Sequence, residues 1–178
     1  MNVFTETELK GVFVIEPERF GDERGFLAQT FSDAEFKGHG LNPRIAQCNV
    51  SFNLRRGTLR GMHFQSTPHA QAKLVRCTAG AIYDVAIDLR RDSPTFTRWV
   101  GVELTAESRR MIYLPEGFAH GYVTLANNTE VFYQVSDVYA PELAGGVRWD
   151  DPAFGVRLPI EVEVINARDR TYEDFLTR

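Results

Sequence analysis

Ala81-Ile82-Tyr83-Asp84-Val85-Ala86-Ile87-Asp88-Leu89 is the stretch that decides the fold class of this chain. Residues 81, 83, 85, 87 and 89 are apolar, and Asp84 and Asp88 fall on the other face. A period of two marks a strand, because successive side chains of an extended backbone point to opposite faces. Further out, similar patterns predict strands over 12–15, 73–78, 98–104, 111–114, 121–125 and 130–139. Turn signals separate them: Thr78-Ala79-Gly80, Arg91-Asp92-Ser93-Pro94, Pro115-Glu116-Gly117 and Asn127-Asn128. Short strands at this spacing predict an all-β antiparallel sandwich or barrel. Helical signals are few. Ser32 followed by Glu35 is a capping box, with Gly38 and Gly40 to end the helix, and 169–178 reads as a second short helix. No repeat, low-complexity tract or linker interrupts the chain, so one domain over 1–178 is expected.

Composition narrows the function classes. The 178 residues are 43% apolar and 25% charged, ordinary values for a globular protein with a real core. A net charge of −4 argues against nucleic-acid binding, which needs a basic face, but leaves room for a local basic pocket. No run of about 18 apolar residues exists, so no membrane span is expected. The start, Met1-Asn2-Val3-Phe4-Thr5-Glu6, lacks the charged and apolar regions of a signal peptide. Cys48 and Cys77 show neither metal nor redox spacing and read as reduced thiols of a cytoplasmic protein.

The chemistry gathers around Leu59-Arg60-Gly61-Met62-His63-Phe64-Gln65, Lys73 and Pro115-Glu116-Gly117-Phe118-Ala119-His120-Gly121. Inward residues near the mouth of a small barrel line a pocket. Metal-binding cupin jelly rolls carry G-x5-H-x-H-x3,4-E-x6-G and P-x-G-x2-H-x3-N. Pro115, Gly117 and His120 match half of the second pattern, and Gly57 and His63 match part of the first. The second histidine position holds Gln65, and the glutamate position falls on His69 or Ala70. Two histidines remain where three or four ligands are needed, so no metal site is expected. Without a metal, two histidines, Arg60, Lys73 and tyrosines suit proton transfer on an anionic substrate. Histidine is the natural base near neutral pH, lysine can face an oxyanion, and tyrosine can be the acid. His39 and His69, in a helix end and a polar loop, are read as structural.

Phe20-Gly21-Asp22-Glu23-Arg24-Gly25-Phe26, Leu59 to Gln65, Lys73-Leu74-Val75-Arg76, Asp84 to Arg90, Ser93-Pro94-Thr95-Phe96, Pro115 to Gly121 and Trp149-Asp150-Asp151-Pro152 together resemble the dTDP-4-dehydrorhamnose 3,5-epimerase family. The match runs in register from about Gly11 to Arg170. The resemblance implies a cupin-type jelly roll with a few short helices. It also implies a homodimer with an exchanged N-terminal strand, and action on a nucleotide-linked 4-keto-6-deoxy sugar without metal or organic cofactor. On the family pattern His63 is the base, Asp169 orients it, Lys73 faces the C4 oxygen and Tyr133 reprotonates from the opposite side. Arg60 and His120 contact the diphosphate, with Asp84 orienting His120, and Tyr139 stacks on the nucleobase. Gln47 and Asn49 reach the nucleotide region. Phe20, Arg24 and Gln29 reach it from the neighbouring subunit, and Arg168 stands in the place of a lysine beside the site.

Some positions depart from the family pattern. Cys48 replaces an aspartate, Gln29 and Ala144 replace glutamates, and Val138 replaces a tyrosine. Val50 and Phe52 stand where polar residues are common. The proton-transfer set is intact, while the changes gather on the nucleotide side. The nucleotide (dTDP, CDP or GDP) and the number of inverted centres therefore stay open. A metal-dependent cupin enzyme and a non-catalytic sugar-nucleotide binder are the rival classes.

Overall fold

The computed structural model describes residues 1–175 of the chain. The alternating stretch forms β8 (Ala81–Asp88), an interior strand. Both of its faces are buried. Val85 and Ile87 pack with Leu59, Met62 and Phe154. Ile82 and Ala86 pack with Val75, Leu104, Phe118 and Val131. Asp84 shares the second face, so the side that reads as polar is directed into the barrel. Each buried aliphatic side chain contributes about 1.5–3 kcal/mol, which makes a one-residue slip of this strand costly on both faces.

Two antiparallel sheets enclose that interior. One runs in the order β1 (Val3–Glu6), β2 (Phe13–Glu16), β10 (Met111–Leu114), β7 (Lys73–Ala79), β12 (Thr129–Val135) and β5 (Gln47–Asn53). The other runs β13 (Ala144–Gly146), β6 (Leu59–Gln65), β11 (Phe118–Thr124), β8 and β9 (Trp99–Thr105). The crossovers between sheets and the all-antiparallel pairing are those of a jelly roll, as expected. A separate hairpin, β3 (Arg19–Asp22) and β4 (Gly25–Ala28), leaves Phe20, Phe26 and Leu27 exposed. β1 pairs with β2 of its own chain.

The differences from the sequence reading have local causes. β11 begins at Phe118 rather than 121, and all seven of its residues are buried, so it carries no alternation to read. β12 ends at Val135 rather than 139, where the Ser136 hydroxyl accepts from the Ala72 amide at 2.8 Å and the chain turns away. β5 escapes a hydrophobicity pattern altogether. Its half-buried and buried residues are polar (Gln47, Asn49, Ser51, Asn53), and its exposed ones are Cys48, Val50 and Phe52.

The helix α1 (Asp33–Gly38) starts at Ser32, whose hydroxyl accepts from the Glu35 amide at 3.4 Å. Phe36 buries its ring against Ile15, Leu74 and Tyr113 on the outside of the six-stranded sheet. The helix expected over 169–178 is one turn, α2 (Ala167–Arg170). Beyond it, the Phe175 amide donates to Asp151 at 2.8 Å and its ring packs on Phe154 and Phe96, which holds the chain out of a helix. Residues 176–178 of that expectation lie outside the described residues. No helix among the described residues is long and apolar enough to cross a membrane.

Candidate active site

A cavity of about 380 Å³ opens between the sheets, lined in part by Arg60, His63, Lys73, His120, Tyr133 and Asp169. Two glycines set the strand crossing beside it. Gly61 has φ +132, and a Cβ there would lie 2.5 Å from the Gly121 Cα. β6 and β11 approach this closely only because both residues lack side chains. The register shifts at this crossing and places His63 opposite His120.

His63 Nε2 is 2.7 Å from Asp169 Oδ1, and the Gly61 amide donates to Asp169 Oδ2 at 3.1 Å. The His63 side chain is 41% exposed and that of Asp169 only 1%. Burial pushes the Asp169 carboxyl up, but the hydrogen bond and charge of His63, the Gly61 amide and Arg168 outweigh this and hold it below its usual range. An ionised carboxylate on Nε2 fixes the tautomer with the proton on that nitrogen and leaves Nδ1 as an acceptor.

Lys73 comes from the opposite sheet and donates to the His63 carbonyl at 3.2 Å. Burial lowers its ammonium to about 8, with Asp84 opposing the shift. Tyr133 also comes from that sheet, on β12, and its phenol is pushed up by burial against the opposing charge of Arg60. It is therefore protonated at neutral pH. His63 and Tyr133 thus stand on opposite walls of one cavity.

A second pair lies deeper. His120 Nε2 is 2.8 Å from Asp84 Oδ2, with side chains 9% and 0% exposed. Burial drives the His120 pKa down more than Asp84 raises it, and the charges of Lys73 and His63 act in the same direction as burial. Arg60 is held by Asn53, which accepts from its Nε at 2.8 Å, and by the Phe52 carbonyl.

An adjoining pocket of about 230 Å³ shares His63, Lys73 and Tyr133 and adds Tyr139, Ala144 and Arg168. Gln47 accepts from the Tyr139 amide at 2.8 Å, which fixes the loop carrying that exposed ring. Arg168 donates to the Ala144 carbonyl at 3.3 Å. Asn49 sits on β5 opposite Tyr133. Phe20, Arg24 and Gln29 are exposed and line neither pocket within this chain; Arg24 forms an ion pair with Asp22.

Gln65, in the place of a cupin metal-binding histidine, is buried and spent on backbone. It donates to the Val138 and His69 carbonyls and accepts from the Ala140 amide at 2.9 Å. His39 stacks on Phe4 and His69 faces Asp137, as structural residues do. Three cavity residues, Ser51, Tyr122 and Asn166, escape the sequence reading. Tyr122 bonds Ser51 at 2.8 Å and sits on the unpatterned β11. Asn166 precedes Asp169 by three positions, a spacing that is itself a helix-start signal.

With this geometry in view, the comparisons with known proteins decide the family. The family model described as dTDP-4-dehydrorhamnose 3,5-epimerase matches residues 6–176. The chain belongs to the dTDP-4-dehydrorhamnose 3,5-epimerase family. The curated dTDP-4-dehydrorhamnose 3,5-epimerase of Methanothermobacter thermautotrophicus is 44% identical over 173 residues, covering 96% of this chain and 92% of that protein. The crystal structure of the Elizabethkingia anophelis enzyme of that name superposes with a TM-score of 0.95 at 37% identity, covering 99% of this chain and 98% of the other. That of the Bacillus anthracis enzyme, with TDP and PPi bound, gives 0.92 at 39% identity, covering 96% and 97%. The epimerase family is an isomerase family, and the expected enzyme class and the cupin-like fold both hold.

Proposed function

We propose that this epimerase inverts C3, C5 or both in a nucleotide-linked 4-keto-6-deoxy hexose, with dTDP-4-dehydro-6-deoxyglucose the leading substrate. The observation that carries the reading is the placement of His63 and Tyr133 on opposite sheets around one cavity. A C4 ketone acidifies the hydrogens at C3 and C5. His63 Nδ1 takes one of them, and the electron pair of the broken C–H bond moves to the C4 oxygen. Asp169 stabilises the imidazolium, and the Lys73 ammonium faces the developing oxyanion. Tyr133 then gives its proton to the carbon from the other side. Inversion needs two groups, since a single base returns the proton to the face it left. Only protons move, so the chemistry calls for no cofactor.

Arg60 and His120 take the diphosphate, and Tyr139, Arg168, Gln47 and Asn49 the nucleoside. The exposed hairpin with Phe20 and Arg24, and Gln29 after it, reaches the nucleotide of a second copy of this chain in a homodimer with exchanged N-terminal strands. The whole of 1–178 acts as one domain, in the cytoplasm. The changed nucleotide side, with Cys48 exposed on β5, favours a second reading in which the base is cytosine or guanine or one centre alone is inverted. A site that bonds specific polar groups discriminates strongly among ligands lacking them.

The deciding experiment is NMR of 4-keto-6-deoxy hexoses linked to dTDP, CDP and GDP, each incubated with the protein in D2O. Deuterium at C3 and C5 of the dTDP sugar is expected. Exchange at one carbon, or only with another nucleotide, selects the second reading. Tight binding with no exchange on any of the three overturns the enzymatic role in favour of a binding protein.

A further inference from the structure

Asp169 reaches His63 from a single helical turn, and the way that turn is fastened is unusual. In a capping box the acid at the third helical position bonds back to the amide of the capping residue, while the cap bonds the amide of the acid. Here the second half is present, with Asn166 Oδ1 accepting from the Asp169 amide at 2.6 Å. The first half is diverted: Asp169 Oδ1 faces His63, and Oδ2 accepts from Gly61. Both carboxylate oxygens are committed to β6. The chain before α2 is pinned to the start of the same strand, where the Leu59 amide donates to the Val164 carbonyl at 2.8 Å and the Val164 amide to the Gly57 carbonyl at 3.1 Å. Asn166 also lines the main cavity.

We infer that Asn166 is a positioning residue for the His63–Asp169 pair. Its amide oxygen accepts from the backbone amide of the residue that carries the carboxylate, and so fixes the turn from which Asp169 reaches β6. Without that acceptor the Asp169 amide loses its partner, and the turn that aims the carboxylate is no longer fastened at its start. Any loosening of that turn takes the carboxylate off His63. This inference rests on the proposed role of the pair.

The test is a set of three Asn166 variants, with Asp169→Asn beside them, assayed for kcat, KM and melting temperature. Asn166→Ala removes the acceptor and is expected to lower kcat by about ten- to a hundredfold with KM within about twofold, as a misplaced catalytic group does. Asn166→Ser restores an acceptor and recovers most of kcat. Asn166→Gly lacks the side chain but glycine is well tolerated at a helix start, so its kcat falls like that of the alanine variant while its melting temperature stays near that of the parent. An unchanged kcat in Asn166→Ala overturns the inference, as does a loss confined to KM, or a serine variant as impaired as alanine. Asp169→Asn separates the two levels: if it is inactive while Asn166→Ala is normal, only the role of Asn166 fails, and if it is fully active, the reading of the pair fails with it.

Discussion

The two histidine–aspartate pairs make the same bond, 2.7 Å in His63–Asp169 and 2.8 Å in His120–Asp84, yet they are built for different tasks. His63 is 41% exposed to the cavity, and its aspartate arrives from the far end of the chain. His120 is 9% exposed, and its aspartate comes from the adjacent strand of the same sheet. Burial keeps His120 neutral, because a charge there loses its hydration and faces Lys73 and His63. The carboxylate of Asp169 stays ionised beside an accessible imidazole, the condition for a group that must gain and give up a proton. Near-identical geometry therefore suits proton transfer in one place and a fixed hydrogen-bonding post in the other. Solvent access decides between them.

Mutation of the two histidines should separate activity from stability. His63→Ala is expected to lose about 10³-fold or more in kcat, within the range attributed to general acid–base catalysis, with deuterium exchange at C3 and C5 abolished and ligand binding kept. Exchange at the normal rate in this variant would falsify its assignment as the base. Tyr133→Phe loses about 10²-fold in product formation but keeps exchange into the unreacted substrate, since His63 still removes a proton and returns a deuteron to the same face. Loss of both signals together would place Tyr133 outside the reprotonation step.

A smaller effect concerns Lys73, which both pairs adjoin. Its charged form is lost as pH rises through about 8, so kcat/KM of the parent should fall on that alkaline side. Lys73→Arg keeps its charge and should carry the limb beyond the measurable range. Asp84→Asn removes the carboxylate that raises Lys73, so the limb should move below 8. A limb that ignores both substitutions belongs to another group.

The last contrast is in stability. His120→Ala strands a fully buried carboxylate and is expected to cost about 3–5 kcal/mol, read in thermal or denaturant unfolding. His63→Ala should leave the melting temperature nearly unchanged, because the Gly61 amide still serves Asp169 and the imidazole is open to solvent. Equal destabilisation of the two variants would remove the distinction between the pairs.

How much of this was legible in the sequence varies by strand. β8 and β10 announced themselves through alternation or their bounds, and α1 through Ser32 and Glu35. β11 was shortened because it is buried throughout, and β5 was missed because it turns polar residues toward the interior and apolar ones outward. An active-site barrel inverts the usual code along the strands that line its cavity. The polar face of β8 shows the same thing: Asp84 looks like a solvent residue in the pattern and is fully buried. Although Phe20, Arg24 and Gln29 line neither pocket within this chain, the cavity residues Arg60, His63, Lys73, His120, Tyr133 and Asp169 were legible from family motifs. Ser51, Tyr122 and Asn166 were not, since none belongs to a motif and their roles come from what they face.

The sequence by itself determined the class of fold, the ends of α1 and the family, because each is carried by local spacing or by ordered motifs. The tertiary structure alone decided which aspartate serves which histidine. His63 and Asp169 are 106 positions apart, and His120 and Asp84 are 36 apart. Their pairing depends on the register of β6 against β11 and on the close crossing of Gly61 and Gly121. It depends also on the tail being pinned at Val164 and Asp151, so that one helical turn sets its carboxylate beneath the imidazole. Registers and crossings are settled by packing over the whole barrel, and no local stretch of chain contains that information.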